Sequence, residues 1–175
     1  MNKKFLTVFA VFDDKTQQIL NKIQQEILKL GLKGSQTMDI PFHISLGTYE
    51  TEDEAQLVSK IKEVCDANSS FGLDLTKVNS FGTRVLFIEP KVNDKLLNLR
   101  NLFNHDINKN LQWHAHATLF IDDLGGQFEQ AKQIALNLFK EEINAKIVRL
   151  SMGEFFPKRI IIEENLQKDN YEHKF

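Results

Sequence analysis

The chain of 175 residues contains one cysteine, three prolines and eight glycines. The single thiol, Cys65, excludes an intramolecular disulfide framework and any zinc site built from several cysteines. The low proline and glycine content excludes fibrous and low-complexity proteins. No stretch approaches the roughly 20 apolar residues that span a bilayer, so we expect no association with a membrane.

The amino terminus resembles a short signal peptide, because Lys3 and Lys4 precede an apolar run that ends at Phe12. The run is brief, no small-residue cleavage site follows it, and Asp13 and Asp14 end it. We therefore interpret it as a first β-strand and expect a cytoplasmic protein.

Neither sign of charge is in excess, since 22 lysines and arginines balance 24 aspartates and glutamates, for a formal net charge of −2. An extended nucleic-acid clamp needs a clear basic excess to neutralise many phosphates, so we do not expect one. A nucleotide or the phosphate end of an RNA is compatible with this balance, because a cleft can be locally positive on a nearly neutral protein.

Apolar periodicity divides the chain into alternating strands and helices, and no linker rich in proline, glycine or serine interrupts it. We therefore predict one bilobal domain over residues 1–165, a frayed tail over residues 166–175, and a monomer. The predicted strands cover residues 4–12, 40–49, 71–79, 83–89, 114–122, 145–151 and 155–163, and the predicted helices about 13–30, 51–68, 93–104 and 127–140.

A weak internal repeat fixes the architecture further. The unit strand–helix–strand–helix–strand occurs twice, and its middle strand carries a histidine motif each time: His-Ile-Ser-Leu at 43–46 and His-Ala-Thr-Leu at 116–119. The tripeptides Ser-Phe-Gly at 80–82 and Ser-Met-Gly at 151–153 are predicted turns after each unit. The repeat predicts an α+β fold of two pseudo-symmetric lobes, each a mainly antiparallel sheet backed by helices, with a central cleft.

Side chains alternate across a strand, so each motif has an apolar back and a polar front. His43 and Ser45 share one front, and His116 and Thr118 share the other. If the two fronts meet, two imidazoles flank one small site. One neutral imidazole can then accept a proton from water or a ribose hydroxyl, while the other, as imidazolium, protonates the leaving oxygen. The hydroxyls can donate to phosphate oxygens whose charge grows in the transition state.

Paired His-x-Ser/Thr motifs, each followed by an apolar residue on a duplicated unit, resemble the 2H phosphoesterase superfamily, which includes bacterial 2′-5′ RNA ligase-like RNA cyclic phosphodiesterases. The resemblance implies a phosphodiesterase without metal or cofactor, acting on 2′,3′-cyclic or 2′-5′-linked phosphates of nucleotides or RNA ends. It also implies that His43 and His116 are the acid and the base, in an order left open, and that Ser45 and Thr118 bind the phosphate. Some RNA-processing members carry an arginine shortly after the second motif. Residues 119–123 (Leu-Phe-Ile-Asp-Asp) contain none, which argues against large RNA substrates.

Three further residues share the predicted polar fronts. Gly47 would leave room for substrate, and Tyr49 could border the site and stack on a base. His114, one pleat from His116, could touch substrate.

Two other functions fit the same residues. His43, His114 and His116 could ligate a metal ion of a metal-dependent hydrolase. The two motifs could also hold a nucleotide or an RNA-end phosphate without turning it over. Chelator sensitivity separates the first alternative from the phosphodiesterase, and turnover of a cyclic nucleotide separates the second.

Overall fold

The computed structural model describes residues 3–34, 40–110, 112–155 and 158–168. Helices and strands alternate along it, which confirms the α+β class. The elements in chain order are β1 (Phe5–Phe12), α1 (Asp14–Lys29), β2 (His43–Tyr49), a 3₁₀ turn (Thr51–Asp53), α2 (Glu54–Ala67), β3 (Phe71–Phe81), β4 (Val85–Pro90), α3 (Asp94–Leu102), β5 (Ala117–Ile121), α4 (Phe128–Leu138), β6 (Ile143–Phe155) and β7 (Arg159–Asn165). No helix in these ranges is long and apolar enough to cross a membrane.

The strands form one antiparallel sheet in the order β2-β1-β6-β3-β4-β5, with β7 also paired to β6. We call residues 5–81, which hold β1 to β3, the first half, and residues 85–155, which hold β4 to β6, the second half. Exchanging the two halves turns the strand order into itself, read from the opposite end. The duplicated unit therefore accounts for the topology, while two pseudo-symmetric lobes around a central cleft stay a prediction.

The end of the second half differs from the prediction. Residues 151–153 do not form a turn, because they lie inside β6, paired with β1 on one edge and with β7 on the other. Gly153 therefore marks no turn, and a Cβ there would make an ordinary contact with the Phe9 ring at 3.6 Å. The corresponding glycine of the first half does turn the chain, since Gly82 has a φ of +55° between β3 and β4.

The first residues of the predicted tail are attached to the domain, contrary to the expectation that residues 166–175 are frayed. Leu166 is buried, and its N–H donates to the carbonyl of Val148 at 2.9 Å. Gln167 accepts from the N–H of Ser70 at 2.8 Å. These hydrogen bonds join backbone groups only, so the polar side-chain composition of the tail gave no sign of them. Residues 169–175 lie outside the described residues.

The helix α1 shows how local sequence sets an element. Asp13 caps it by accepting from the N–H of Thr16 at 3.2 Å, and Gly31 ends it with a φ of +76°. Its core face is apolar at Leu20, Ile23 and Ile27, but Gln24 is buried among them.

The strand β1 is buried on both faces. Leu6, Val8, Ala10 and Phe12 point into the main core beneath the helices. Phe9 and Val11, on the opposite face, are also fully buried. This second face carries the candidate site.

Candidate active site

The two histidine motifs occupy matching positions at the two ends of the sheet. His43 and Ser45 lie on β2, and Thr118 lies on β5. The predicted strand over residues 114–122 begins later than expected, so that His116 directly precedes β5. Neither motif hydroxyl has a hydrogen-bond partner among the residues described here, and both remain available to a ligand.

The same β-bulge interrupts each motif strand. Val8 pairs with Gly47 and Phe9 with Ser45, so Leu46 is an extra residue in β2. In the second half, Leu86 pairs with Phe120 and Phe87 with Thr118, so Leu119 is the extra residue in β5. The bulges align the two halves residue by residue.

A phenylalanine supports each imidazole from the neighbouring strand. The ring centroids of Phe9 and His43 are 4.3 Å apart, and those of Phe87 and His116 are 5.1 Å apart. Phe9 and Phe87 are the partners of Ser45 and Thr118 in the ladders, so equivalent residues support both histidines.

Each imidazole makes the same local hydrogen bond. His43 Nδ1 lies 2.7 Å from the carbonyl of Pro41, and His116 Nδ1 lies 2.7 Å from the carbonyl of His114. A carbonyl only accepts, so Nδ1 carries the proton in both rings and Nε2 has the lone pair. The tautomer that suits a general base is therefore set twice by the backbone.

Side chains from each half hold the motif of the other half at its bulge. Gln24 of α1 donates to the carbonyl of Leu119 at 2.9 Å, and Arg100 of α3 donates to the carbonyl of Leu46. These are the two extra residues, whose carbonyls the bulges remove from the ladders. The helices thus bridge the halves and fix the positions of the motif strands.

A third bridge joins the motifs directly. Trp113, three residues before His116, donates from Nε1 to the carbonyl of Ser45 at 2.8 Å. Its ring also lies 5.4 Å from the Arg100 guanidinium carbon. Arg100 in turn pairs with Asp106 at 2.5 Å. Sequence analysis missed these residues, although a polar residue within an apolar helix stripe, as at Gln24, is the signal that finds such contacts.

Burial lowers the pKa of both motif histidines. For His43, burial lowers the pKa to about 4, and the charge of His116 contributes to the same shift. The hydrogen bond to Pro41 opposes the shift, because it favours the charged imidazole. The pKa of His116 is also lowered, first by burial and then by the charge of His114, while its hydrogen bond to the His114 carbonyl opposes the shift. His43 is therefore neutral at neutral pH.

A cavity of about 600 Å³ opens beside His43. Thr118 of the second half also lines it, so the cavity brings one residue of each motif together. Its walls come from α1, from the segment before β2, and from β5, β6 and β7. Ser45 and His116 are not among its lining residues.

Tyr49 and Gly47 do not lie beside His43, contrary to the expectation from strand alternation. The bulge at Leu46 shifts the alternation by one residue, so both residues face the main core. Tyr49 is buried, with its ring stacked 4.9 Å from His105. A Cβ on Gly47 would lie 2.9 Å from the carbonyl of His105, so this glycine makes room for the chain at 103–105 and not for substrate.

His114 lies beside the second motif without joining it on a strand. Its Nε2 is 3.6 Å from Glu89 Oε1, and its ring contacts Phe81 edge-on at 5.4 Å. Its carbonyl orients His116. Among the residues the structure describes, no group of three or more His, Cys, Asp or Glu side chains is arranged to hold a metal ion, so the three-histidine alternative has no ligand set there.

Arg149 is a site residue that sequence analysis missed. It pairs with Val11, and Val11 pairs with His43, so all three side chains project to the same face of the sheet. Two strand spacings place its Cα roughly 10 Å from that of His43. It lines the cavity, and its Nε is buried with no hydrogen-bond partner in the described part of the chain. The sequence did contain one sign of this role, because Arg149 is a basic residue within a largely apolar predicted strand.

Comparison with known proteins identifies the fold. No family model and no curated protein matches the sequence. TT0787 of Thermus thermophilus is similar with a TM-score of 0.64 at 10% identity, covering 95% of this chain and 100% of that chain. Apo E. coli LigT is similar with a TM-score of 0.60 at 13% identity, covering 96% of this chain and 100% of that chain. A structure described as a phosphoesterase has a TM-score of 0.56 at 14% identity, covering 95% of this chain and 100% of that chain. This chain thus shares its fold with TT0787 and with E. coli LigT.

Proposed function

We propose that this protein is a phosphodiesterase that acts on 2′,3′-cyclic or 2′-5′-linked phosphates of nucleotides or RNA ends by acid–base catalysis at His43 and His116, without a metal. The matched local geometry carries the proposal. Each Nδ1 donates to the carbonyl two residues earlier, which leaves Nε2 for substrate. Each histidine is followed two residues later by a hydroxyl that has no hydrogen-bond partner within the described ranges.

Hydrolysis of a cyclic phosphate needs one proton removed and one delivered. A neutral Nε2 takes a proton from water as the water oxygen attacks phosphorus. The opposite imidazolium gives its Nε2 proton to the ribose oxygen as the P–O bond breaks, which yields a nucleoside monophosphate. Ser45 and Thr118 donate to the non-bridging oxygens, where negative charge grows. Each proton transfer contributes roughly 10²–10⁴-fold in rate.

We assign the base to His43 and the acid to His116. His43 has its pKa lowered to about 4 by burial, so it is ready to accept a proton at neutral pH. The pKa of His116 is lowered as well, first by burial, so its protonated form depends on the bound substrate. A bound phosphate anion raises the pKa of an adjacent imidazole and supplies the protonated acid.

Small substrates fit the proposal better than long RNA. The net charge is −2 and no basic residue follows Thr118 within residues 119–123. E. coli LigT, with which this chain shares its fold, has been solved in complex with phosphate and with 3′-AMP. Groups of this size are the ones we expect here.

The test is turnover of a panel of nucleoside 2′,3′-cyclic monophosphates and 2′-5′ dinucleotides, with and without EDTA. We expect hydrolysis of at least one class at an equal rate in both conditions. Loss of activity with EDTA would favour a metal-dependent hydrolase. Tight binding of a nucleoside monophosphate with no turnover of any substrate would favour a non-catalytic phosphate-binding module.

A further inference from the structure

We propose that the 600 Å³ cavity beside His43 is a subsite for the nucleoside part of the substrate, and that Arg149 and Glu163 bind the edge of its base. The inference rests on the proposed function, because it names the group attached to the phosphate that the two histidines hold. His43 and Thr118 line the cavity, so a phosphate bound by them continues directly into it. A volume of this size suits a ligand of nucleoside dimensions.

The cavity walls favour an uncharged, hydrogen-bonding group. The helix α1 contributes four amide side chains, Gln17, Gln18, Asn21 and Gln24. Gln17 and Gln24 use their amides on the backbone of Phe42 and Leu119, whereas Gln18 and Asn21 are exposed to the cavity. Apolar walls come from Phe42, Ile121 and Phe155, among others. Flat apolar faces with a polar edge are the features of a nucleobase.

The charges of the cavity cancel. Arg149 and Glu163 lie on neighbouring strands, with Arg149 Nε 3.9 Å from Glu163 Oε1. This separation is too long for a hydrogen bond, and the Nε hydrogen has no other acceptor in the described part of the chain. A second phosphate would be repelled by Glu163. A base edge offers an acceptor next to a donor, which a guanidinium beside a carboxylate can bind at once.

The residues beside the two motifs differ between the halves. The bulges align Thr7 with Val85, and their ladder partners are Gly153 and Phe81. Gly153 has no side chain, whereas the ring of Phe81 packs 4.9 Å from His116 and 4.5 Å from Phe87. The imidazoles and hydroxyls are matched between the halves but the residues beside them are not, which favours the His43 side for the nucleoside.

The experiment compares nucleoside 2′,3′-cyclic monophosphates with methyl riboside 2′,3′-cyclic phosphate, which has no base. We expect the wild-type protein to favour the nucleosides in kcat/KM by about tenfold or more. Arg149→Met and Glu163→Gln should each remove most of this preference, chiefly through KM, by lowering kcat/KM for the nucleosides more than for the base-free substrate. Arg159→Met is the matched control, because Arg159 pairs with Glu54 at 2.8 Å outside the cavity. It should leave the preference intact.

Equal kcat/KM for base-free and nucleoside substrates would overturn the subsite. So would an equal loss for both substrates in Arg149→Met and in Glu163→Gln, because these residues would then act on the phosphate or the fold. If no substrate is turned over, calorimetry with 3′-AMP and inorganic phosphate decides. Nucleotide binding about tenfold tighter than phosphate binding, lost in Glu163→Gln, supports the subsite although the proposed catalysis fails. Equal binding of the two ligands overturns it.

Discussion

The two halves present the same imidazole and hydroxyl in different electrostatic surroundings. In the first half, the neighbour of His43 across the ladder is the buried, apolar Val11, and the next strand carries the cation Arg149. Burial is the main cause of the lowered pKa of His43, and the charge of His116 lowers it further.

The second half has a carboxylate at the position of Val11. The aligned residue is Glu89, which accepts from the Asn79 amide at 2.6 Å and lies 3.3 Å from Lys77 Nζ. The hydrogen bond from Asn79 is the main reason that the pKa of Glu89 is lowered, so this carboxylate stays ionised near His114. The two halves thus present the same motif residues with different charges on the strands beside them.

Removing either imidazole nitrogen that faces substrate should have the largest effect. Asparagine places its amide N–H near the position of Nδ1 but has nothing at Nε2. His43→Asn and His116→Asn should therefore keep the hydrogen bonds to Pro41 and His114 and lower kcat by about 10²–10⁴-fold. Steady-state kinetics on a cyclic nucleotide, with circular dichroism to confirm folding, measures this.

The two variants also test the assignment of roles. For wild-type protein we expect a bell-shaped dependence of kcat/KM on pH. His43→Asn should abolish the acid limb, which reports the base, and His116→Asn the alkaline limb. Near-wild-type turnover in either variant would contradict the proposed pairing, and exchanged limbs would reverse the assignment.

Loss of a motif hydroxyl should have the next largest effect. Ser45→Ala and Thr118→Val each remove one donor to the phosphate and should lower kcat by about 10–10³-fold. Thr118→Ser keeps the hydroxyl and is the matched control, expected to retain most activity. Similar losses in the two halves would place the phosphate midway between them, whereas no loss in either variant would remove both hydroxyls from the mechanism.

The two side chains that bridge the halves also differ in charge, since Arg100 is a cation and Gln24 is neutral. Arg100→Met breaks a buried ion pair and frees the Leu46 carbonyl, so it should destabilise the fold by about 3–5 kcal/mol. Gln24→Leu frees only the Leu119 carbonyl and should cost about 1–2 kcal/mol.

Urea unfolding measures both values. The control is Arg84→Met, because Arg84 pairs with Asp123 at 3.4 Å on the surface and should contribute less than about 1 kcal/mol. Equal losses of unfolding free energy in Arg100→Met and Gln24→Leu would show that the charge of Arg100 contributes no stability.

Sequence periodicity predicted the motif strands because alternation is a local property. It placed His43 with Ser45 on one face of the sheet, and the order of elements led to the α+β fold. The same rule failed at Tyr49, since a single extra residue at Leu46 reverses the faces beyond it. Bulges are set by how strands meet, and one strand's sequence does not contain that information.

Arg149 was missed for a related reason. Its place near His43 depends on the register of three strands, β2, β1 and β6, whose pairing is non-local. The chain segment around His43 contains no sign that residue 149 lies two strands away. Sequence analysis therefore found the groups that form each motif and not the charges that distinguish the two halves.

A further predicted effect is a loss of stability in mild acid to which His43 of the first half contributes. His43 has a pKa of about 4 in the folded protein, below the ordinary value of 6.5, so the unfolded chain takes up its proton first as the pH falls. Stability is complete above about pH 6.5 and is lost as the pH falls towards 4, by about 2 kcal/mol between pH 7 and pH 5. Urea unfolding at the two pH values measures the loss, and His43→Asn should reduce it more than His105→Asn. Because the pKa of His116 is lowered in the same direction, His116→Asn should reduce it as well. An unchanged pH dependence in His43→Asn would mean that burial does not hold His43 neutral. The proposed electrostatic difference between the two halves would then be wrong.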